Sequence, residues 1–329
     1  MKPRYILTAN GNPITDLVSP ILNSLTVTDE TGDQADRLSI AIDDSSGNLA
    51  LPPSGALLTL QLGIGTQLVD FGQFTVDSVS GEGGDSVPVL RIEAHAVPMS
   101  GSAKMQGRKS RSWAGVTLGD IVEKIAGENG LQSVIAENFA ALDLGHLDQT
   151  DESDTAFLSR LARDVSAAVK VTAGRLAFIG RGTSRTASGA ALPAVTLYKG
   201  DLTRWSWIIA ARGAYKSVVA KYRDLDTAAT TEVLVGEGDP AFRLPHTYST
   251  ENGARRAARA KLDDFSRSSG GQIQLSMQAR LDIIAETPVV VMGVRQGIDG
   301  QYVVRRVSHA LTGGGGLFTS VDCEKHLEF

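Results

Sequence analysis

Cysteine is almost missing: Cys323 is the one cysteine in 329 residues. It has no partner for an internal disulfide, which points to a reducing, cytosolic origin. Clustered positive charge is also missing. Lys and Arg number 32 against 37 Asp and Glu, a net charge of −5. That excludes a protein that grips nucleic acid by displacing counterions. Long apolar runs are absent too. PVVVMGV, the longest near the C-terminus, falls far short of the roughly 18 residues of a membrane helix. The N-terminal stretch MKPRYILTANGNPITD holds an apolar run too short for a signal peptide. The expectation is a soluble chain with no export signal and no membrane insertion.

Enzyme motifs are equally scarce. The sequence contains no HExxH, no GxSxG and no Gly-Lys pair, so zincin, nucleophile-elbow and Walker-type readings fail. VLVGEGDPA matches strand plus GxGxxA, but Pro240 and the following FRLPHTYS open no helix to hold a pyrophosphate. His95, His146, His246, His309 and His326 lack metal-ligand spacing. His95 and His309 lie in strand-like segments and read as packed or hydrogen-bonded residues. Cys323 reads as a small buried hydrophobe. Asp43–Asp44 and Asp224/Asp226 do not follow the alternating pattern of a calcium loop. The GGGG at 313–316 reads as a flexible tip or a tight bend between strands, with no phosphate-binding context. No catalytic, cofactor-binding or metal residues are assigned.

What is present is β-rich. Aromatics are 5% of the chain and glycine contributes 35 residues, a composition of many short strands and turns. Residues 1–100 read as strands: RYILTAN, SLTVTD, DRLSIAID, ALLTLQLG, FGQFTVDSVS and VPVLRIEAHA, separated by DETGDQAD, DDSSGN, LPPSG and GEGGD. Residues 101–198 change period. KMQGRKSRSW reads as a basic, polar connection. A helix near 117–128 follows, with Thr117 at the N-cap, Asp120 in the first turn, Leu118, Ile121, Val122 and Ile125 on one stripe, and Gly130 at the C-cap. A second helix near 153–168 is preceded by the acidic run QTDESD. Asp151 or Ser153 caps it, and Phe157, Leu158, Leu161, Val165 and Ala168 form its apolar face. Helix capping accounts for these acids better than a catalytic or metal site. KVT-AG-RLAFI then reads as a hairpin turning at Ala173–Gly174.

Strands return over 199–329, interrupted by a helix near 251–266. Its apolar stripe is Ala254, Ala258, Leu262 and Phe265; Arg255, Arg256, Arg259 and Lys261 make it basic. Those cations form either a solvated face or a docking surface for an acidic partner. The two β regions share a motif. GQFTVDSVS (Gly72, Gln73, Phe74, Val76) matches GQYVVRRVS (Gly300, Gln301, Tyr302, Val304), and each follows a strand ending in Gly. Duplication explains the shared order of strand, loop and GQ-aromatic strand better than chance, and makes these eight residues candidate barrel or interface positions. The fold class is mainly β with an α+β middle: two similar barrels flanking a helix-and-hairpin connecting domain.

Several stretches resemble one family closely: DDSSGNLALPPSGALLTLQLG, RKSRSWAGVTLGDIVEKIAGENGL, LDQTDESDTAFLSRLARDVSAAVKVTAGRLAFIGRG, YSTENGARRAARAKL and ETPVVVMGVRQGIDGQYVVRRVSHALTGGG. The chain is similar over nearly its whole length to the bacteriophage late control D family, baseplate hub proteins of contractile tails and related tail-like bacteriocins. Its middle also looks like the hub portion of type VI secretion spike proteins (VgrG), which share the D-x-x-F-L-x-R-L segment seen here as Asp154, Phe157, Leu158, Arg160 and Leu161. It departs from that second family by stopping at Phe329 without an OB-like domain or spike. The resemblance implies a non-catalytic homotrimer with two tube-like β-barrel domains per chain and no cofactor. It implies pseudo-sixfold symmetry, a hexameric tail tube protein on one face, a separate trimeric spike protein on the other, and contacts with further baseplate proteins. DNA passage through the lumen needs no specific binding, and net negative charge fits a lumen that repels DNA. The competing readings are a tail-borne cell-wall hydrolase, for which no inserted segment offers a cleft with paired carboxylates, and a type VI secretion hub component.

Overall fold

The computed structural model describes residues 2–31, 36–85, 87–96, 105–172, 175–185, 190–209, 215–223, 229–269 and 271–325. The first β region holds β1 (Pro3–Ala9), β2 (Asn12–Pro13), a one-turn helix α1 (Thr15–Val18), β3 (Leu22–Glu30), β4 (Arg37–Asp43), β5 (Leu57–Ile64), β6 (Gln67–Glu82) and β7 (Val89–Ala96). The middle holds β8 (Arg108–Trp113), α2 (Leu118–Glu128), β9 (Gln132–Ile135), α3 (Glu137–Ala140), β10 (Leu147–Ser153), α4 (Asp154–Asp164), β11 (Ala167–Thr172) and β12 (Arg175–Gly180). The remainder holds β13 (Val195–Tyr198), β14 (Leu202–Ile208), β15 (Ser217–Arg223), β16 (Thr230–Gly236), β17 (Ala241–Tyr248), α5 (Glu251–Ser269), β18 (Gln272–Gln278), β19 (Pro288–Met292), β20 (Gly300–Thr312) and β21 (Leu317–Lys325).

Alternation places the core. In β4 and β5, Leu38, Ile40, Leu58, Leu60 and Leu62 point inward and are almost fully buried. Each such side chain contributes about 1.5–3 kcal/mol of burial. A second core of the same kind is built by Leu197, Ile273, Leu275, Val289, Val291, Val304 and Val321.

The two β regions are copies in register. The first runs β3-β4-β7-β6-β5-β1 across the sheet, the second β14-β18-β21-β20-β19-β13. Gly72 and Gly300, both with positive φ, hold equivalent places, Gly72 within β6 and Gly300 at the start of β20. A bulge lies at Val76/Ser78 in one and at Val304/Arg306 in the other. A second pair of matching bulges lies at Leu22/Ser24 and Leu202/Arg204. Two independent bulges at equivalent places mark one motif used twice. The outermost strands differ: β1 runs antiparallel to β5, whereas β13 runs parallel to β19.

The copies share one 13-stranded sheet, because β20 pairs with β3. The middle stands apart around its own core of Phe157, Leu158, Phe178, Leu118, Ile121 and Ile125. Thr117 and Asp120 form a capping box on α2, and Gly130 follows with φ +68°. α5 packs through Ala254, Ala258, Leu262 and Phe265 on β15–β17.

Three local expectations need correction. Helix α4 ends at Asp164, not near 168. Ser166 takes φ +57°, a conformation no helix continues, and Ala168 belongs to β11. RKSRSW is no connection but strand β8, paired with β10. Lys109, Arg111 and Trp113 share its inward face, and the two cations meet the one buried anion Asp154 there. Helix α5 runs on to Ser269. The hairpin tip Ala173–Gly174, Asp224, Asp226 and His326 lie outside the described residues.

Candidate functional site

The joint between the copies is the first candidate. Ser24–Thr28 and Asp29–Glu30 of β3 lie opposite Thr312–Arg306 of β20. Leu25 faces Leu311 and Val27 faces His309, all four buried. On the other face the hydroxyls of Thr28 and Ser308 are 3.0 Å apart, and Arg306 meets Glu30 at 2.6 Å. His309 bonds Thr319 through Nδ1 at 2.9 Å and sits 5.4 Å from the Phe71 ring. Burial pushes its imidazole down to about 4, so it packs as a neutral core residue. Cys323 is likewise buried in the second core.

The middle is pinned to this joint by charge. Lys170 of β11 donates to Asp29 at 2.7 Å and to Asp36 at 3.1 Å, and Ala285 N–H donates to the other Asp29 oxygen. Burial opposes ionisation of Asp29, but the charge and hydrogen bond of Lys170 outweigh it and hold Asp29 low. Asp36 takes the other role: burial and the Asp29 charge push it up to about 6.

Glu286 shows the duplication at the level of strain. Its φ is +70°, where the equivalent Gly55 has +86°. Gly55 N–H donates to Val76 and Glu286 N–H to Val304, the matching carbonyls of β6 and β20. Its Oε1 accepts from Gly182 N–H of the middle at 3.2 Å. Burial pushes this carboxyl up to about 7 from an ordinary 4.5. The folded chain therefore keeps a proton that the unfolded chain releases between those values. Stability falls as pH rises across that window. Glu286→Gln is expected to flatten that slope and add about 1–3 kcal/mol above pH 7, measured by urea unfolding. A variant with the wild-type slope would contradict this. Asp36 leaves a smaller slope of the same sign.

A second charge node lies inside the middle. Asp154 is fully buried and accepts from Lys109 at 2.6 Å, Arg111 at 2.5 Å, Gln149 at 3.0 Å and Asn129 at 3.3 Å. Glu128 pairs with the same two cations. Ser153 is the N-cap, accepting from Ala156 N–H. Asp151 sits at a bulge with φ +47° and pairs with Arg108; Glu152 pairs with Arg160. Capping thus explains Ser153, while Asp154 is a buried tie between β8, α2 and α4. Among the described residues no group of three His, Cys, Asp or Glu is placed to hold a metal ion. Sequence reasoning missed Lys109, Arg111 and Lys170. Their one signal was alternation with Trp113 or with valines in short strands.

The other candidate residues separate. Phe74 and Val76 are buried in the first core, Tyr302 and Val304 in the second. Gln73 is half-buried and Gln301 exposed beside their glycines. The two sets occupy equivalent places in the copies and do not form one site. On α5, Arg255 pairs with Glu251, Arg259 with Asp263 and Lys261 with Asp264. Arg256 feels Asp143 and Asp164. Much of the basic face is neutralised by acids of its own helix.

A duplicated sheet with a helical middle is the fold of solved tail proteins. It aligns with the 43 kDa tail protein of prophage MuSo2 from Shewanella oneidensis at a TM-score of 0.72 and 13% identity, covering 98% of each chain. It aligns at 0.56 and 12% identity with the E. coli c3393 protein, a component of the type VI secretion system, covering 98% of this chain and 77% of that one. Sequence carries the assignment further. The profile of the phage tail baseplate hub (GPD) family matches residues 73–315. The chain is 35% identical to the probable baseplate hub protein of Escherichia phage P2, over 99% of this chain and 94% of the other. It belongs to the phage tail baseplate hub family, the late control D family that its motifs resemble, and its place is the virion tail baseplate.

Proposed function

We propose that the chain is a structural adaptor: three copies form a ring that joins a hexameric tail tube to a trimeric spike and lets DNA or tail contents pass. The duplication carries this reading. Two register-matched copies per chain give six similar units per three chains, so one ring presents near-sixfold symmetry to the tube and true threefold symmetry to the spike. In this reading residues 1–100 and 199–329 supply the tube-like barrel domains and residues 101–198 the connecting domain. The charged pins at Lys170 and Asp154 suit a part that must transmit force without changing shape. Pairing of every anion around Asp154 with a cation or amide favours a scaffold over a hydrolase, which needs a carboxyl free to exchange protons. The basic face of α5 remains a candidate contact for other baseplate proteins.

Axial electron-microscopy views test this. Rings with six similar lobes and threefold symmetry are expected; four or five lobes, or twofold symmetry, would overturn it.

A further inference from the structure

The joint between the copies is used once within the chain, and its two halves are each left open once. β20 has one edge shared by two strands: Gly300–Val303 pair with β19, and Arg306–Thr312 pair with β3. In the equivalent β6, Gln67–Thr75 pair with β5. Beyond them, among the described residues, no strand covers that edge at Ser78–Glu82. The counterpart of β3 is β14, which pairs with β18 alone and ends the sheet. β14 is an apolar, exposed edge: Trp205 is 39% exposed, Trp207 41%, and Ile208 and Ile209 60% each. Such an edge is a template for another strand unless it is covered.

We infer that β14 of one chain adds to the free edge of β6 in the next copy of this chain, in the register that β3 and β20 use internally. This rests on the ring reading and adds its seam. Transferring the internal register puts Ile209 opposite Val79, Ile208 opposite Ser80, Trp207 opposite Gly81, and Trp205 opposite Gly83. The sizes fit. Within the chain the matching pairs are Val27 with His309 and Leu25 with Leu311, medium against medium. Between chains they become Trp against Gly. A Cβ placed on Gly81 would meet nothing within 4 Å, so the space for an indole is open. The indoles are also on the right face: Trp207 lies opposite the buried Ile273 and Trp205 opposite the buried Leu275, so both extend the second core. Each lies under a cation, Trp205 under Lys199 at 5.3 Å and Trp207 under Arg295 at 5.6 Å. The contact is head-to-tail, each chain giving one β14 and one β6 edge, which closes in a ring.

Thr28 and Ser308 face each other across the internal joint with hydroxyls 3.0 Å apart, so their counterparts Ile208 and Ser80 face each other across the seam. The test is the full-length double variant Ser80→Cys/Ile208→Cys under a mild oxidant. Both positions are exposed, and the native Cys323 is buried. Most chains are expected to migrate as covalent trimers without reductant. The off-register pair Ser80→Cys/Trp207→Cys is expected to cross-link at least tenfold less, because adjacent strand residues point to opposite faces. Light scattering separates the two claims. A trimeric mass without cross-linking, or equal cross-linking of both pairs, overturns the seam and leaves the ring. A monomeric mass without cross-linking overturns both.

Discussion

Trp207→Asp is expected to leave the chain folded and to abolish its self-association. Trp207 lies only at the margin of the second core and is 41% exposed on the last strand of the sheet. Far-ultraviolet dichroism and the melting temperature of the isolated chain are therefore expected to change little. At the seam the same substitution removes an indole and places a carboxylate against apolar core. A buried aromatic anchor is worth about 2–4 kcal/mol on truncation, and desolvating the new carboxylate, only partly offset by the nearby Arg295, adds to that loss. Each 1.4 kcal/mol is about a tenfold change in affinity, and a ring of three chains meets the loss at three seams. Association is expected to weaken by at least about a hundredfold per contact. Trp207→Phe, which keeps an aromatic face, is expected to retain most of it. Sedimentation velocity reads both. A wild-type mass distribution for Trp207→Asp would contradict the account of β14.

The second large effect is expected at Asp154. Asp154→Ala removes a fully buried carboxylate and leaves Lys109 and Arg111 with Glu128 as their remaining anion and Arg111 with the Gln149 amide oxygen. Breaking a buried pair costs about 3–5 kcal/mol. Lys109 is 32% exposed and can turn toward water, so the lower end applies, with unfolding of the middle preceding that of the sheet. Burial pushes the Asp154 carboxyl up, yet the bonds from Lys109, Gln149 and Asn129 and the charge of Arg111 outweigh it and hold it below its usual value. Its stabilisation is therefore present above the ordinary carboxylate range and is lost as pH falls through the lowered value. Wild type is expected to lose stability on acidification in that range more steeply than Asp154→Ala. Urea unfolding of both at neutral and acid pH reads the difference; parallel pH profiles would contradict the role of the node.

The duplication was legible where the motif must keep its residues. Gly72 and Gly300 both hold positive φ, and the aromatic and valine that follow fill each core. It was illegible elsewhere because a strand needs only alternation. β3 and β14 are equivalent, yet LNSLTVTDE and LTRWSWI share little beyond their first residue. The joint itself left no local mark, since β3 and β20 meet from opposite ends of the chain. Nor could the sequence tell that β13 runs parallel where β1 runs antiparallel. Lys109 and Arg111 read as part of a basic, polar connection because their anion, Asp154, comes from a helix more than forty positions away. The same anion read as one of the acids that favour a helix's positive end because it stands beside the true cap, Ser153. Charges that tie elements together are visible only once the elements are placed.

The central claim is the threefold ring, and absolute mass in solution tests it most directly. Light scattering after size exclusion is made on the chain alone and with a trimeric spike protein. The account predicts a hub mass near three times 34.7 kDa in at least one of the two samples. A 34.7 kDa monomer in both, at micromolar concentration, would contradict it.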